Sequence, residues 1–137
     1  MSTISTHVLD TVLGKPAAGI GVRLEKQESG GWGEGWIEVT HLEGESAPST
    51  ERARDLSGPW SEVSRSATDA DGRCSDLAQD LPAGVYRLVF DTGSYLNSMH
   101  RTSIYPEIAI TFSCAGEGPY HLPLLLSDNG YTTYRGS

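Results

Sequence analysis

The chain has 137 residues, 37% of them hydrophobic, and a formal net charge of −8 at pH 7. This size and composition fit one domain with a core of its own. The acidic charge argues against nucleic acid or an acidic membrane surface as the main partner. The 16 glycines and seven prolines indicate many turns, and therefore many short strands.

Membrane and disulfide-rich classes are also disfavoured. No apolar run approaches the roughly 18 residues that a membrane helix needs. Residues 1–9 lack the apolar core of a signal peptide. Cys74 and Cys114 are too few and too far apart for a disulfide framework or a zinc site. We therefore expect a soluble, intracellular protein with reduced thiols.

The first half of the chain predicts strands joined by polar turns. Residues 4–12 are rich in β-branched side chains, and residues 20–26 alternate apolar with polar. Both patterns predict strands. Residues 36–42 and 60–68 are two further candidates. Between them, residues 43–59 are rich in Ser, Glu, Pro and Gly and predict a flexible surface loop.

The second half continues the same pattern. After the turn dipeptide Asp71-Gly72, strands are expected at the alternating segments, and a short helix fits within residues 92–101. A hairpin turn at Asp128-Asn129-Gly130 leads into the last strand. The expected strands of this half are 85–91, 106–114, 120–127 and 131–134.

Seven or eight short strands with one helix predict an all-β sandwich. We find no internal repeat, so residues 1–137 are expected to form one domain, with the 43–59 loop on its surface. The last strand is expected at a sheet edge. Because a bare edge invites pairing with another chain, an oligomer is favoured over a monomer.

Two of the four histidines, His7 and His121, lie within predicted strands. His7 shares a strand face with Leu9, whereas His121 points away from the apolar face of its strand. If the two lie side by side, they can share a water, one taking its proton near neutral pH. The alternative is two unrelated surface histidines. His41 and His100 lie in loop-like surroundings and are expected to be solvated.

Arg73 and the C-terminal segment are the other candidates. The planar guanidinium of Arg73, next to a tight turn, can bind a carbonyl pair or a ring anion with two hydrogen bonds. The segment Tyr134-Arg135-Gly136-Ser137 looks ordered, and its terminal carboxylate can take part in a site. The alternatives are a solvated arginine and an ordinary tail.

Metal and nucleotide chemistry are not indicated. The histidine spacing does not match a helical zinc motif, and no third ligand stands out. Neither a Gly-x-Ser-x-Gly elbow nor a phosphate-binding loop is present. We therefore expect no metal and no cofactor.

A series of motifs, in order along the whole chain, resembles the transthyretin-like 5-hydroxyisourate hydrolases. The closing tetrapeptide matches the one that marks the enzymes of that family. The motifs are Ser5-Thr6-His7-Val8-Leu9-Asp10, Gly14-Lys15-Pro16-Ala17-Ala18-Gly19, Thr68-Asp69-Ala70-Asp71-Gly72-Arg73, Ala83-Gly84-Val85-Tyr86-Arg87, Phe90-Asp91-Thr92-Gly93, Tyr105-Pro106-Glu107, Tyr120-His121-Leu122-Pro123-Leu124-Leu125-Leu126-Ser127 and Tyr134-Arg135-Gly136-Ser137.

The resemblance implies a transthyretin-like sandwich of about eight strands with one short helix. It implies a homotetramer, a dimer of dimers with active sites at the interface. The implied reaction is cofactor-independent hydrolysis of 5-hydroxyisourate to 2-oxo-4-hydroxy-4-carboxy-5-ureidoimidazoline, a step of urate degradation to allantoin. A cytoplasmic location is the default, with a peroxisomal one as the alternative.

The resemblance also assigns residues. His7, Arg73 and His121 match the catalytic residues of the family, and His7 and Arg73 are expected to touch the substrate as well. The substrate pocket is completed by Tyr134, Arg135, Gly136 and Ser137. The rival function on the same scaffold is a non-enzymatic small-ligand carrier like transthyretin, which is expected to lack the histidine pair and the Tyr-Arg-Gly-Ser ending.

Two departures from the family pattern stand out. Residues 36–60 are longer than the family usually has by roughly 20–25 residues, which a surface loop tolerates. As a result, the family's third strand is either 36–42 or 60–68. Asp128-Asn129 also replaces the usual proline-aromatic turn.

Overall fold

The computed structural model describes residues 2–28, 36–40, 50–54 and 59–136, and these form strands, turns and one short helix. For residues 36–40 and 50–54, only the backbone is described. The elements in chain order are β1 Ser2–Asp10, β2 Lys15–Pro16, β3 Gly21–Gln27, β4 Trp36–Thr40, β5 Thr50–Arg54, β6 Trp60–Ala67, β7 Arg73–Leu81, β8 Gly84–Phe90, α1 Thr92–Ser98, β9 Ile108–Cys114, β10 Gly118–Ser127 and β11 Gly130–Thr133.

Two main sheets form the sandwich. In the first, the order is β11-β10-β1, and the far side of β1 pairs with β7 and then with the two residues of β2. The second sheet has the order β6-β3-β8-β9. Strands β1 and β10 run parallel, whereas the other pairs of these two sheets are antiparallel.

Alternation along β1 shows how the sequence selects this architecture. The side chains at even positions from Ser2 to Asp10 are buried, and those at most odd positions are half-buried. Strand β10 likewise buries the alternate residues from Tyr120 to Leu126. These faces meet the apolar face of the second sheet in one core, whose fully buried side chains include Ile4, Val8, Val22, Leu24, Tyr86, Leu88, Phe90 and Leu124.

The structure settles the identity of the third strand. Strand β3 pairs with β6 from Gly21↔Ala67 to Gln27↔Trp60, so the second of the two alternatives, 60–68, is right. Strand β4 pairs instead with β5 in a separate two-stranded sheet. The prediction of an unstructured loop over 43–59 is therefore wrong for Thr50–Arg54, because backbone pairing does not need apolar side chains. Residues 41–49 and 55–58 lie outside the described part.

Strand β7 is a second correction. No strand is predicted from the sequence between the Asp71-Gly72 turn and residue 85, yet Arg73–Leu81 forms a nine-residue strand. It pairs with β1 irregularly, with register shifts between Ser2 and Ile4 and between Ile4 and Thr6. These shifts disturb the period of two on which the prediction relied.

A polar cluster, here called the clamp, ties the far end of β1 to two loops. It consists of Asp10, Tyr95, Arg101 and Asp128. The Asp10 carboxylate is fully buried and accepts hydrogen bonds from the Tyr95 hydroxyl at 2.8 Å and from Arg101 Nη1 at 2.6 Å. Arg101 Nε also donates to Asp128 at 2.9 Å. Asp128 lies in the turn that departs from the family pattern, and its partner is Arg101.

The remaining expectations about the framework hold where they can be compared. Cys74 and Cys114 are buried, and neither is part of a disulfide. His100 is exposed, whereas His41 lies outside the described residues. Strand β11 is an edge strand of its sheet, as predicted. No described helix is long and apolar enough to cross a membrane.

Candidate active site

The candidate site lies on the outward face of the first sheet, where β7, β1 and β10 run side by side. His7 on β1 pairs across with Arg73 on β7, and Ser5 on β1 pairs across with His121 on β10. Residues opposite each other on neighbouring strands point to the same face. His7 and His121 are therefore diagonal neighbours, at the spacing of about 7–8 Å that such pairs usually have.

A tight turn places Arg73 beside His7. The Asp69 side chain accepts hydrogen bonds from the backbone N–H groups of Asp71 at 2.9 Å and Arg73 at 3.0 Å. Gly72 has a φ of +75°, and a Cβ there would lie 2.4 Å from the carbonyl oxygen of Val8. Glycine is thus required for the chain to turn this close to β1, and the next residue, Arg73, starts β7 beside His7.

His121 is held on both sides of its ring. The Ser5 hydroxyl lies 2.9 Å from His121 Nδ1 and forms a hydrogen bond with it. On the opposite edge, a Cβ added to Gly136 would lie 2.8 Å from His121 Cδ2. The Gly136 N–H also donates to the His121 carbonyl at 2.7 Å. The ring is therefore fixed between β1 and the C-terminal segment, with its Nε2 edge left for the cavity.

The electrostatics favour a neutral His121. Burial lowers the pKa of this imidazole below its ordinary value of 6.5, and the positive charges of Arg73 and His7 lower it further. Beside it, the backbone N–H of Arg73 holds the pKa of Asp69 below its usual range. Near neutral pH, the site thus contains a neutral His121 and a cationic Arg73, which is a suitable pair for proton transfer beside a charged oxygen.

A cavity of about 310 Å³ opens at this place, lined by Ser5, Arg73, Pro119, His121 and Gly136. Its size suits a small ring compound. Ser5 and Pro119 were not singled out from the sequence. Ser5 lies two residues before His7 on the same strand face, and this spacing is the signal that could have identified it.

The C-terminal segment divides into parts with different surroundings. Tyr134 is 53% exposed and does not line the cavity. The Arg135 guanidinium stacks over the Tyr120 ring, 4.1 Å from its centroid, and donates to the Pro119 carbonyl at 3.2 Å. Gly136 is at the cavity, whereas Ser137 lies outside the described residues. In the described part of the chain, no group of three His, Cys, Asp or Glu side chains is placed to hold a metal ion.

Comparison with known proteins is consistent across sequence and structure. Residues 4–136 match the model of the HIUase/Transthyretin family. The chain is 36% identical to the 5-hydroxyisourate hydrolase of Mus musculus, over 99% of this chain and 96% of the relative. The structure of Klebsiella pneumoniae 5-hydroxyisourate hydrolase is similar with a TM-score of 0.71, at 33% identity and over 100% of both chains.

A transthyretin shares the fold as well. Transthyretin from Sparus aurata superposes with a TM-score of 0.74, at 26% identity, over 98% of this chain and 96% of the other. The backbone alone thus does not separate the two functions, and the side chains around the cavity have to do so.

Proposed function

The chain belongs to the HIUase/Transthyretin family, and from this premise we propose that it hydrolyses 5-hydroxyisourate at the cavity lined by Arg73 and His121, next to His7. The product is 2-oxo-4-hydroxy-4-carboxy-5-ureidoimidazoline, and the reaction is a step in urate degradation. The observation that supports the assignment is the position of these three residues on one outward face of three adjacent strands, where Arg73 and His121 line a cavity and His7 is their neighbour.

The chemistry required is the opening of a cyclic amide by water. One histidine takes a proton from water, and the resulting hydroxide adds to the ring carbonyl carbon. The tetrahedral oxyanion then collapses, the C–N bond breaks, and the leaving nitrogen takes up a proton as a carboxylate forms. The guanidinium of Arg73 offsets the charge that develops on the oxyanion. These steps balance without an oxidant, reductant or metal, and the absence of a cofactor stays a prediction.

The C-terminal segment is proposed to shape the substrate pocket. Gly136 supports this role through its contact with the His121 ring and its place at the cavity. Tyr134 has an exposed ring that is free to contact substrate or another subunit. Arg135 is proposed to act mainly by holding the segment against Tyr120 and Pro119. Ser137 stays a prediction.

The assembly is proposed to be a homotetramer, arranged as a dimer of dimers. Among the described strands, β11 has a partner on one edge only, and several exposed apolar side chains lie on the same sheet or in its turns, among them Val12, Leu13 and Tyr131. Light scattering after size exclusion checks this, and a monomer would contradict it. Organisation of residues 1–137 as one domain and a cytoplasmic location, with a peroxisomal alternative, stay predictions.

A coupled assay tests the function. Urate oxidase generates 5-hydroxyisourate from urate. The absorbance of 5-hydroxyisourate is followed with and without a catalytic amount of the chain. A hydrolase accelerates the decay far beyond one equivalent, whereas a carrier removes at most stoichiometric ligand. No acceleration by the wild-type chain would overturn the proposal.

The histidines provide the matched variants for this assay. We expect His7→Asn and His121→Asn each to lower kcat by about 10²- to 10⁴-fold, the usual contribution of a general acid or base. His100→Asn, at an exposed histidine, is the control and keeps full activity. Full activity in both site variants would contradict the roles of His7 and His121.

A further inference from the structure

The proposed mechanism does not say which of the two histidines takes the proton from water. The hydrogen bond between Ser5 and His121 bears on this question. A neutral imidazole carries its proton on either Nδ1 or Nε2, and the partner of one nitrogen decides which. The Ser5 hydroxyl lies 2.9 Å from Nδ1. It therefore provides Nδ1 with a partner and leaves Nε2 as the nitrogen that can bind a ligand.

We propose that Ser5 is a positioning residue that donates its hydroxyl proton to His121 Nδ1 and thereby keeps the proton of His121 on Nε2. In this state His121 presents an N–H donor to the cavity, and His7 is the histidine that accepts a proton from water. The inference rests on the proposed function for its catalytic meaning, but the tautomer itself does not depend on any substrate.

Geometry supports the assignment. Ser5 and His121 are directly paired across two parallel strands, so the backbone fixes their separation. The ring cannot easily turn over, because Gly136 packs against its Cδ2 edge so closely that a single added Cβ would clash. With Nδ1 held on one side and Cδ2 on the other, only the Nε2 and Cε1 edge is left for the cavity.

The charges around the ring support a neutral imidazole, which is the state that can accept a hydrogen bond at Nδ1. Among the described residues, the charged groups that act on its pKa are His7 on β1 and Arg73 on β7, and both oppose a positive charge on His121. In the C-terminal segment, Arg135 is also cationic, and its guanidinium stacks on Tyr120. Asp69 lies beyond Arg73 and accepts hydrogen bonds from the backbone of its own turn.

The direction of the hydrogen bond follows from the alternatives. If Ser5 accepted a proton from Nδ1, the bare Nε2 would face the cavity and the hydroxyl proton would need another acceptor. Among the described residues, the only hydrogen bond of the Ser5 side chain is the one to His121. Donation satisfies this proton and agrees with the Nε2–H tautomer that neutral histidine already prefers in water.

The test compares Ser5→Ala with Ser5→Thr, which keeps a hydroxyl on the same carbon. Thr3→Ala is the matched control, since it removes a hydroxyl from an exposed position two residues earlier on the strand. The first readout is the ¹⁵N spectrum of the histidine rings, assigned with His121→Asn. We expect the wild type, Ser5→Thr and Thr3→Ala to show the Nε2–H form of His121, and Ser5→Ala to show a mixture.

The second readout is the titration of His121, followed in the same spectra as the pH is lowered, together with turnover. Loss of a donor to neutral Nδ1 favours the protonated ring, so the acid midpoint of the His121 ring is expected to move upward in Ser5→Ala. We also expect kcat to fall about five- to tenfold with little change in KM, the effect of one neutral hydrogen bond. Ser5→Thr restores both values.

The outcomes separate the two proposals. An Nδ1–H form of His121 in the wild type, or an unchanged tautomer and acid midpoint in Ser5→Ala, overturns the role of Ser5. Equal changes in Thr3→Ala overturn it as well. A wild-type chain that does not turn over 5-hydroxyisourate overturns the proposed function instead, while the spectra still decide the tautomer.

Discussion

The active-site cavity and the clamp are built on the same pair of strands but in opposite ways. His7 and Asp10 are three residues apart on β1, and His121 and Asp128 lie on β10 and in the turn after it. In the clamp, the carboxylate of Asp10 is fully buried and accepts hydrogen bonds from the Val12 N–H, the Tyr95 hydroxyl and the Arg101 guanidinium. At the cavity, His7 and His121 are half-buried and Arg73 is exposed.

This difference shows how one strand can serve stability at one end and binding at the other. Hydrogen-bonding groups that are already satisfied within the protein gain little from a ligand, whereas groups that face an open cavity keep their capacity to bind one. We therefore expect substitutions in the clamp to lower the free energy of unfolding and substitutions at the cavity to lower turnover. The following predictions test this separation.

The largest effect on stability is expected from Asp10→Asn. The substitution leaves the Arg101 guanidinium, which is only 13% exposed, with Asp128 as its remaining partner. Removing one member of a buried ion pair typically costs about 3 kcal/mol or more of unfolding free energy. Denaturant unfolding at fixed protein concentration measures this, and turnover per folded molecule should stay within twofold. An unchanged midpoint would mean that the clamp does not stabilise the fold.

The largest effect on turnover, after the histidine variants, is expected from Arg73→Gln. Loss of the guanidinium removes the charge that offsets the oxyanion, and such a loss usually lowers kcat about 10²-fold. Because Arg73 is exposed, the unfolding free energy should change little. Arg65→Gln, at an exposed arginine on the other sheet, is the control. Equal losses in both variants would show a general charge effect.

A smaller effect on turnover is expected from Gly136→Ala. The new Cβ would lie 2.8 Å from His121 Cδ2, so the ring or the C-terminal segment must shift. We expect a loss of about tenfold in kcat, since small displacements of catalytic groups are costly, with an almost unchanged unfolding midpoint. Gly21→Ala, whose Cβ would meet only Asp91 Cβ at 3.8 Å, serves for comparison. Wild-type turnover in the first variant would show that the segment does not position His121.

The cavity and the clamp should also respond to pH in different ranges. The pKa of His121 is lowered from 6.5, so its ring should stay neutral through neutral pH and take up a proton only as the pH drops through the lowered value. Because the unfolded chain takes up this proton first, His121 also costs some stability below pH 6.5.

Asp10 titrates in a more acidic range. Burial alone would raise the pKa of Asp10, but hydrogen bonds from Arg101, the Leu13 N–H and Tyr95 outweigh it and hold the pKa below 3.8. Its stabilisation is complete above pH 3.8 and is lost as the pH falls through the lowered value. The ring spectra of His121 and unfolding, measured over the same pH range, check this order, and a simultaneous change of both would contradict it.

The smallest effect is expected from Asp128→Asn. The Asp128 side chain is 36% exposed and shares Arg101 with Asp10, so solvent weakens the contribution of its charge. We expect a loss of no more than about 1 kcal/mol of unfolding free energy, as for other exposed ion pairs, and no change in turnover. A loss as large as that of Asp10→Asn would show that the two carboxylates contribute equally.

Most of the fold could be predicted because apolar alternation marks the strands that face the core. Strands β3, β9 and β10 follow it, whereas β8 also buries Val85 and Val89 on its other face. Strand β7 was missed because its pairing with β1 is irregular, and β5 because its residues are polar. His7, Arg73 and His121 were identified only through the family resemblance, since each residue alone also fits a solvated position. Ser5 was missed because its importance comes from pairing across strands that local sequence does not show.

The parallel pairing of β1 with β10 also bears on how the protein folds. Ser5 and His121 are separated by 116 positions, so the hydrogen bond between them joins two residues that are far apart in the sequence. Loop-closure entropy opposes such contacts until the intervening strands have collapsed. The catalytic geometry is therefore expected to form late in folding, and a chain that has completed the second sheet but not yet joined β1 to β10 should be compact and inactive. Recovery of activity during refolding would then lag behind the recovery of β-structure.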